Sequence, residues 1–587
     1  MEVLKRSFLV VLLIGTCLCQ LIRSEQDIRS KKKKIAIIGG GISGTFVTKY
    51  LTDYDTNCQI DSITIFDPST PWKGPKEAAS YPPDDDWQGS RVESLRLMDG
   101  SVVEMGASIG YKDFYLVLDM IRNDPTLKIG APFSTNQDET VDPNMRQGLA
   151  VYNGDREVVL STVNKTAWAS RMSFMWRYGF DAYNVARVCK QALYKFAKVA
   201  VLLNDTKAGT FFESPDEIWN RTGLFNLVHS SFDDLLETMG VYSELPFWRS
   251  WLPMQGSFRD EFLTAINLVN YNQDTSQINA LVGLGSFAAT SGGIFSVLGG
   301  NAQLLTSALK QAETASAEHC SHSNQILLES QRVTTVVGSH ESLELFSDQE
   351  ELGMFDIVIL AAPLQQARIN FLIKSVMDEV VLQEMPLGKL INPERQRTED
   401  GHSILASGLP PAAKRPYTQV VTTIIRNGTV SAEEFGIPEA SLPRSISFTS
   451  KGKAEKYNIT VITQLSASAG LFKVFSNNKL DNSVLTKIFG PHHTVEYVKF
   501  WGGPHGGATP DYQGDGQAPG FVLWDGAKGI EGYSTSGALY YPSAMEQSTL
   551  ASMELCAIGA KAVAKLVARR LGLVKVVEAE EEAHDEL

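Results

Sequence analysis

Cysteine is scarce, with six in 587 residues. Cys17 and Cys19 lie in an N-terminal apolar stretch, and Cys58, Cys189, Cys320 and Cys556 stand more than a hundred residues apart with no C-x-x-C pair. This spacing excludes a redox dithiol and a cysteine-built zinc cage, and leaves room for one long-range disulfide. Histidine is also rare, at nine. The cluster His492, His493 and His505 has no acidic or cysteine partner at ligand spacing, so no metal centre is expected. Positive charge is in deficit: Lys and Arg number 53 against 67 Asp and Glu, a net −14. That balance argues against a nucleic-acid footprint and against an electrostatic membrane anchor. No apolar run reaches the roughly 20 residues that span a bilayer. The stretch from Ile278 to Gly300 is uncharged but holds Gly283, Gly285, Gly292, Gly293, Gly299 and Gly300, which predicts buried turns against a ligand.

What remains is ordinary globular composition, 43% hydrophobic and 20% charged, in a chain long enough for several interleaved domains. Both ends read as addresses. Lys5 and Arg6 precede an uncharged segment from Ser7 to Gln20 with small residues beyond it, which predicts a secretory signal peptide over residues 1–24. The acidic tail, residues 573–587, ends in His584, Asp585, Glu586 and Leu587, the HDEL retrieval signal. Together they predict the endoplasmic reticulum lumen, with a retrieval receptor as partner, and the lysosome or vacuole as the alternative. Five N-x-S/T acceptors, Asn164, Asn204, Asn220, Asn427 and Asn458, fit a glycosylated luminal chain.

The first motif with chemistry follows the signal. A short apolar strand, Ile35 to Ile38, runs into Gly39-Gly-Gly41-Ile42-Ser43-Gly44 and then an amphipathic helix through Leu51. In this strand-turn-helix setting Gly39 allows the tight turn, Gly41 lets the backbone approach a pyrophosphate, and Gly44 lets helix pack on strand. The helix N-terminus, at Ile42 and Ser43, supplies N–H donors. A second strand, Ser62 to Phe66, ends in Asp67, placed to accept hydrogen bonds from a ribose diol. The preceding Lys31 to Lys34 reads as a solvated lead-in.

Downstream segments choose the cofactor. Gly89-Ser-Arg91, two alternating strands from Val92 to Leu97 and Ser101 to Glu104, and then Met105-Gly106-Ala107-Ser108 resemble the G-G-R and E-x-G-A/G-S elements of the amine-oxidase superfamily of FAD enzymes. Ser90 replaces the family's middle glycine. The resemblance implies that Arg91 contacts the phosphates and that residues 105–108 lie along the flavin. Further segments resemble the prenylcysteine oxidase family: Trp176 to Gly179, Val269 to Gln273, Ile278 to Gly283, Gly299 to Asn301, Phe355 to Leu364, Val420 to Thr423, Phe472 to Ser476, Tyr541 to Glu546 and Met553 to Ala560. They run in order from about residue 35 to 570.

The implied fold is α/β, a doubly wound, Rossmann-like FAD-binding domain (31–130, 291–370 and 516–572) interleaved with an α+β substrate-binding domain (131–290 and 371–515). Strands at Ile326 to Leu328, Arg332 to Val337, Leu343 to Phe346 and Asp356 to Leu360 complete the first of these, with Val333 near the adenine. Tyr541 to Glu546, including Ala544 and Met545, precedes a long Ala-rich helix through Arg570 whose N-terminus would stabilise the reduced flavin. The family resemblance implies non-covalent FAD, O2 as acceptor, and cleavage of a farnesyl- or geranylgeranyl-cysteine thioether to cysteine, prenyl aldehyde and hydrogen peroxide. Carbon 1 of the prenyl group is allylic and bears sulfur, so hydride loss leaves a cation stabilised by both. Such chemistry needs positioning and an apolar pocket more than an acid-base pair, and no catalytic residue is assigned. The alternatives are a flavin amine oxidase acting on a small amine and a luminal flavoprotein scaffold without turnover.

Overall fold

The computed structural model describes residues 32–574 apart from 78–89, 132–145, 154–157, 206–209, 243–255, 291, 321–324, 340–341, 368, 374–382, 387–393, 398–402, 407–415, 450–456, 502–508, 511, 513–517 and 526–536. The signal segment, Gly89, His505 and the HDEL residues lie outside the described residues.

The chain alternates between two sheets. It opens with β1 (Lys33–Ile38), α1 (Ile42–Tyr54) and β2 (Ile60–Phe66), then a hairpin of β3 (Ser94–Arg96) and β4 (Val102–Glu104), and α2 (Tyr115–Arg122). The second body begins with β5 (Leu149–Tyr152), β6 (Val158–Ser161), α3 (Ala167–Tyr178), α4 (Asp181–Asn204), α5 (Thr264–Tyr271) and α6 (Ala280–Ala289). The chain returns through β7 (Ile294–Val297), α7 (Gln303–His319), β8 (Gln325–Glu329) and β9 (Ile357–Leu360). It crosses again through β10 (Val421–Arg426), β11 (Ser445–Phe448), β12 (Ile459–Ser466), β13 (Leu471–Ser476) and β14 (Thr494–Phe500). It closes with β15 (Val522–Asp525), β16 (Ala538–Tyr540), α8 (Ala544–Ser548) and α9 (Met553–Arg570).

Six strands form one sheet in the order β8-β2-β1-β9-β16-β15, parallel except for the last pair. β1 sits at its centre, with Ile35 opposite both Ile63 and Ile357. Its Ile-Ala-Ile-Ile run is buried on both faces, as a central parallel strand requires. Phe46, Val47 and Leu51 of α1 are fully buried, and α1 packs between α7 and α9. Alanines 557, 560, 564 and 568 keep α9 slim enough for that contact. The second sheet, β14-β10-β13-β12-β11-β5-β6, is antiparallel except where β5 meets β11. The fold is therefore α/β, a doubly wound domain interleaved with an α+β one.

Three local expectations are corrected. The Ala-rich helix is broken: α8 is a single turn ending at Ser548, and α9 starts at Met553 with Ser552 as its N-cap, accepting from the Leu555 N–H. The serine and threonine side chains at 548, 549 and 552 bond to nearby backbone, which competes with helix continuation. The expected strand from Arg332 starts only at Thr335. In the glycine-rich stretch, Gly283 and Gly285 lie inside α6, and only Gly292, Gly293, Gly299 and Gly300 take the positive φ of turns. Gly283 is explained by packing, because a Cβ there would fall 2.2 Å from the Phe232 ring.

Cys58 and Cys320 form a disulfide across 262 residues, joining the α1-β2 and α7-β8 connections. Closing so long a loop restricts the unfolded chain strongly. The variant C58S/C320S is expected to lose about 3 kcal/mol of stability, read as a lower denaturation midpoint in guanidinium, with a steeper slope because the unlinked denatured chain is less compact.

Candidate active site

The three glycines of the loop are glycine for different reasons. Gly39 has φ +107°, and a Cβ on it would lie 2.9 Å from the Ala361 carbonyl oxygen. A Cβ on Gly44 would lie 2.0 Å from the Gly39 carbonyl oxygen. Packing within the chain fixes both. Gly41 has φ −74°, and its nearest neighbour would be Ser90 Oγ at 3.7 Å. Nothing in the protein demands glycine at Gly41, so the open side is the place for a group that must approach the backbone closely. No side chain caps α1, and its first N–H groups at Ile42 and Ser43 fit a phosphate there.

Asp67 is buried, and its carboxylate holds this loop. Oδ2 accepts from the Gly40 N–H at 2.8 Å, and Oδ1 from the Ser69 N–H and hydroxyl at 2.8 and 2.6 Å. A ribose diol would share oxygens already engaged with the backbone. Arg91 and Glu546, 455 residues apart, face each other in a bidentate pair at 2.5 and 2.6 Å. Glu546 is fully buried, as are Ala544 and Met545, and Val333 is buried ahead of the strand at Thr335. The two residues read separately from the sequence thus form one cross-link between the β3 edge and α8.

Residues 104–108 form the next wall. Glu104 Oε1 accepts from the Asn301 N–H at 2.6 Å and from Ser94 Oγ at 2.9 Å. Asn301 Nδ2 donates to the Ala107 carbonyl at 2.6 Å. The Met105 carbonyl accepts from Thr422 Oγ1 at 2.7 Å, whose oxygen also receives Trp501 Nε1 at 2.9 Å. The Trp501 indole lies so close over Gly106 that a Cβ would overlap it, at 1.1 Å. Lys473 reaches this wall from β13. Its Nζ donates to the Glu104 carbonyl and, at 2.5 Å, to Ser108 Oγ. Burial lowers Lys473 to about 7, opposed by Glu104. Burial likewise raises the Glu104 carboxyl to about 7, opposed mainly by the Asn301 and Ser94 hydrogen bonds.

Against the same wall lies a cavity of about 220 Å³. Residues 106–111 and Lys473 border it on one side, and Ala192, Phe196, Tyr271, Leu284 and Phe475 on others. Two acids, Asp113 and Glu554, also border it; Glu554 accepts from the Leu116 and Val117 N–H groups at 2.9 and 3.0 Å at the start of α2. Burial raises it to about 7. Gly285 borders the cavity, and a Cβ there would meet nothing within 4 Å.

The matching segments of known proteins cover this architecture. Residues 162–391 and 400–580 match the family model described as prenylcysteine lyase. The chain belongs to this family. Membership in the prenylcysteine lyase family implies an oxidoreductase that uses a flavin. A farnesylcysteine lyase of Arabidopsis thaliana is 21% identical over 550 residues, covering 91% of this chain and 88% of that one. Prenylcysteine oxidase 1 of Bos taurus is 27% identical over 356 residues, 59% of this chain and 58% of that one. Among solved structures, a putrescine oxidase double mutant aligns over 92% of this chain and 99% of its own, at 14% identity and TM-score 0.47. Cyclohexylamine oxidase from Brevibacterium oxydans aligns over 92% of this chain and all of its own, at 14% identity and TM-score 0.46.

Other sequence candidates fall away from the cavity. His493 Nδ1 lies 2.7 Å from the Gly490 carbonyl and Nε2 3.2 Å from Asn482 Oδ1. Among the described residues no cluster of three His, Cys, Asp or Glu could hold a metal. All five sequon asparagines are exposed. Lys473, Asn301 and Trp501 were not singled out from the sequence, although Lys473 and Asn301 lie in segments that carry the family resemblance. The available signal for Lys473 was a lysine within an unbroken apolar strand, Leu-Phe-Lys-Val-Phe, since lysine is rarely buried without a partner.

Proposed function

We propose that this protein is an FAD-dependent oxidase that cleaves the thioether of farnesyl- or geranylgeranyl-cysteine, with FAD bound non-covalently. The balanced change is prenyl thioether, water and O2 to prenyl aldehyde, free cysteine and hydrogen peroxide. When bound, the flavin supplies the two-electron acceptor. The observation that carries the reading is an apolar cavity whose border with residues 106–111 holds the ammonium of Lys473. A prenylcysteine is an apolar tail joined to a zwitterionic head. The walls remove the tail from water at roughly 25 cal/mol per Å² of apolar surface. Lys473 donates two hydrogen bonds within the chain and lies 4.6 Å from the centre of the Phe475 ring; a substrate carboxylate would pair with this ammonium in exchange for the ring contact, which would set carbon 1 beside the 105–108 wall. The apolar lining suits a prenyl tail better than a small polar amine, which favours the thioether reading over an amine oxidase.

The test is an anaerobic absorbance titration with farnesylcysteine, with spermine and a free amino acid as controls. Bleaching of the oxidised flavin by farnesylcysteine alone is expected. Bleaching by spermine would turn the reading to an amine oxidase, and bound flavin bleached by none of them to a scaffold without turnover.

Gly285 offers a graded check on the cavity. Replacing a helical glycine gains up to about 1 kcal/mol of helix propensity, while a leucine side chain enters empty space. Gly285→Leu is expected to keep or raise the melting temperature and to raise KM about tenfold, more for geranylgeranyl- than for farnesyl-cysteine.

We further propose that the protein resides in the endoplasmic reticulum lumen. The Cys58–Cys320 bridge and the exposed sequons support an oxidising, glycosylating compartment. Replacing Leu587 should release the protein to the medium, whereas retention without change would point to the lysosome or vacuole.

A further inference from the structure

α4 borders the cavity, and it and the preceding helix α3 each expose a face of large side chains. α3 exposes Trp168, Arg171, Met172, Met175 and Trp176 at helical spacing. α4 exposes Tyr183, Arg187, Lys190, Tyr194, Lys198 and Val201, each three or four residues after the last. Phe180, in the joint between the helices, is 67% exposed, and Trp168 and Trp176 are 71% and 65% exposed. The inner faces are occupied. Phe174 and Tyr178 pack on Phe258 and Phe262, and Cys189, Ala192 and Phe196 line the cavity. Large aromatic side chains left in contiguous exposure mark an interaction surface.

Charge decides the partner. Residues 161–204 hold seven Lys and Arg and a single acid, Asp181, which is buried. Lys165, Arg171, Arg187, Lys190, Lys195 and Lys198 are all exposed. The rest of a chain with net charge −14 is correspondingly more acidic. The overall balance argued against an electrostatic anchor, but screening limits charge interactions to about 10 Å, so the local patch governs what docks there. Trp, Tyr and Met interleaved with Lys and Arg on one helical face is the composition of a helix lying among lipid headgroups.

We propose that α3 and α4 dock the protein on an anionic phospholipid surface. The aromatic side chains enter the headgroup region and the basic ones pair with phosphates and carboxylates. The docked stripe and the cavity wall are opposite faces of α4, a helix about 10 Å across. Taken with the substrate proposed above, this sets the cavity one helix diameter from the phase in which a prenyl tail dissolves.

Vesicle cosedimentation of the purified holoenzyme tests it, with phosphatidylcholine alone and with about one third phosphatidylserine. Partitioning is expected on the anionic vesicles only, with release in high salt. W168A/W176A/F180A and, separately, R187E/K190E should each lower it about tenfold, at unchanged melting temperature and unchanged ratio of flavin to protein absorbance. Equal binding to neutral vesicles without salt dependence, wild-type binding by both variants, or no binding at all would overturn it. So would a wild-type dimer by light scattering that the aromatic variant splits, since the face would then belong to a second copy. Flavin bleaching does not enter this readout, so its failure and that of the proposed activity are told apart.

Discussion

Gly41→Val is expected to give a folded protein that retains no flavin. At this position a Cβ meets only Ser90 Oγ, at 3.7 Å, and φ is −74°, which any residue adopts. The valine methyl groups therefore project into open space, and the fold has no reason to object. A dinucleotide whose pyrophosphate must sit against that backbone does have one, and its affinity should fall by at least about a hundredfold. The readout is the ratio of flavin to protein absorbance after gel filtration, together with a melting temperature equal to that of deflavinated wild type. Gly44→Val is the contrasting control. Its Cβ would fall 2.0 Å from the Gly39 carbonyl oxygen, so it should fail to fold. A Gly41→Val protein with full yellow occupancy would remove the cofactor from this loop.

The contrast between Gly41 and its neighbours shows what a sequence carries well. β1, α1 and β2 were legible because each obeys a local rule: an apolar run for a doubly buried strand, glycines at fixed offsets, and an acid at the strand end. The break between α8 and α9 was not. Residues 547–552, Gln-Ser-Thr-Leu-Ala-Ser, contain no glycine or proline to mark it, and serine and threonine bonding to backbone at 548, 549 and 552 accompanies the interruption. The site shows the same division. Asp67 and Arg91 were marked as ligands of the dinucleotide, but the structure gives their polar atoms to Gly40, Ser69 and Glu546 first. Pairing across 455 residues has no periodicity to read. Neither has the approach of Trp501 to Gly106, which depends on how the two sheets meet.

Lys473 belongs to that long-range part, and its removal is expected to have the second large effect. Methionine matches the length of the side chain without its charge. If the ammonium receives the substrate carboxylate, Lys473→Met leaves that carboxylate desolvated and unpaired in an apolar cavity. The cost expected is about 4 kcal/mol, or roughly a thousandfold in kcat/KM. A farnesyl thioether of cysteamine, which lacks the carboxylate, separates this role from a structural one. It should react poorly with wild type, and the variant should lose nothing further on it. The pH profile gives a second readout. The active form carries the ammonium; burial lowers Lys473 and raises its partner Glu104, and the two titrate as a pair, so kcat/KM of the wild type should fall on the alkaline side as the ammonium loses its proton. The limb should vanish in Lys473→Met and move to higher pH in Lys473→Arg, whose guanidinium keeps its proton. A Lys473→Met enzyme within about threefold of wild type would assign substrate anchoring to another group. Equal losses on both substrates would assign Lys473 to the integrity of the wall, where it holds Ser108 and the Glu104 carbonyl together.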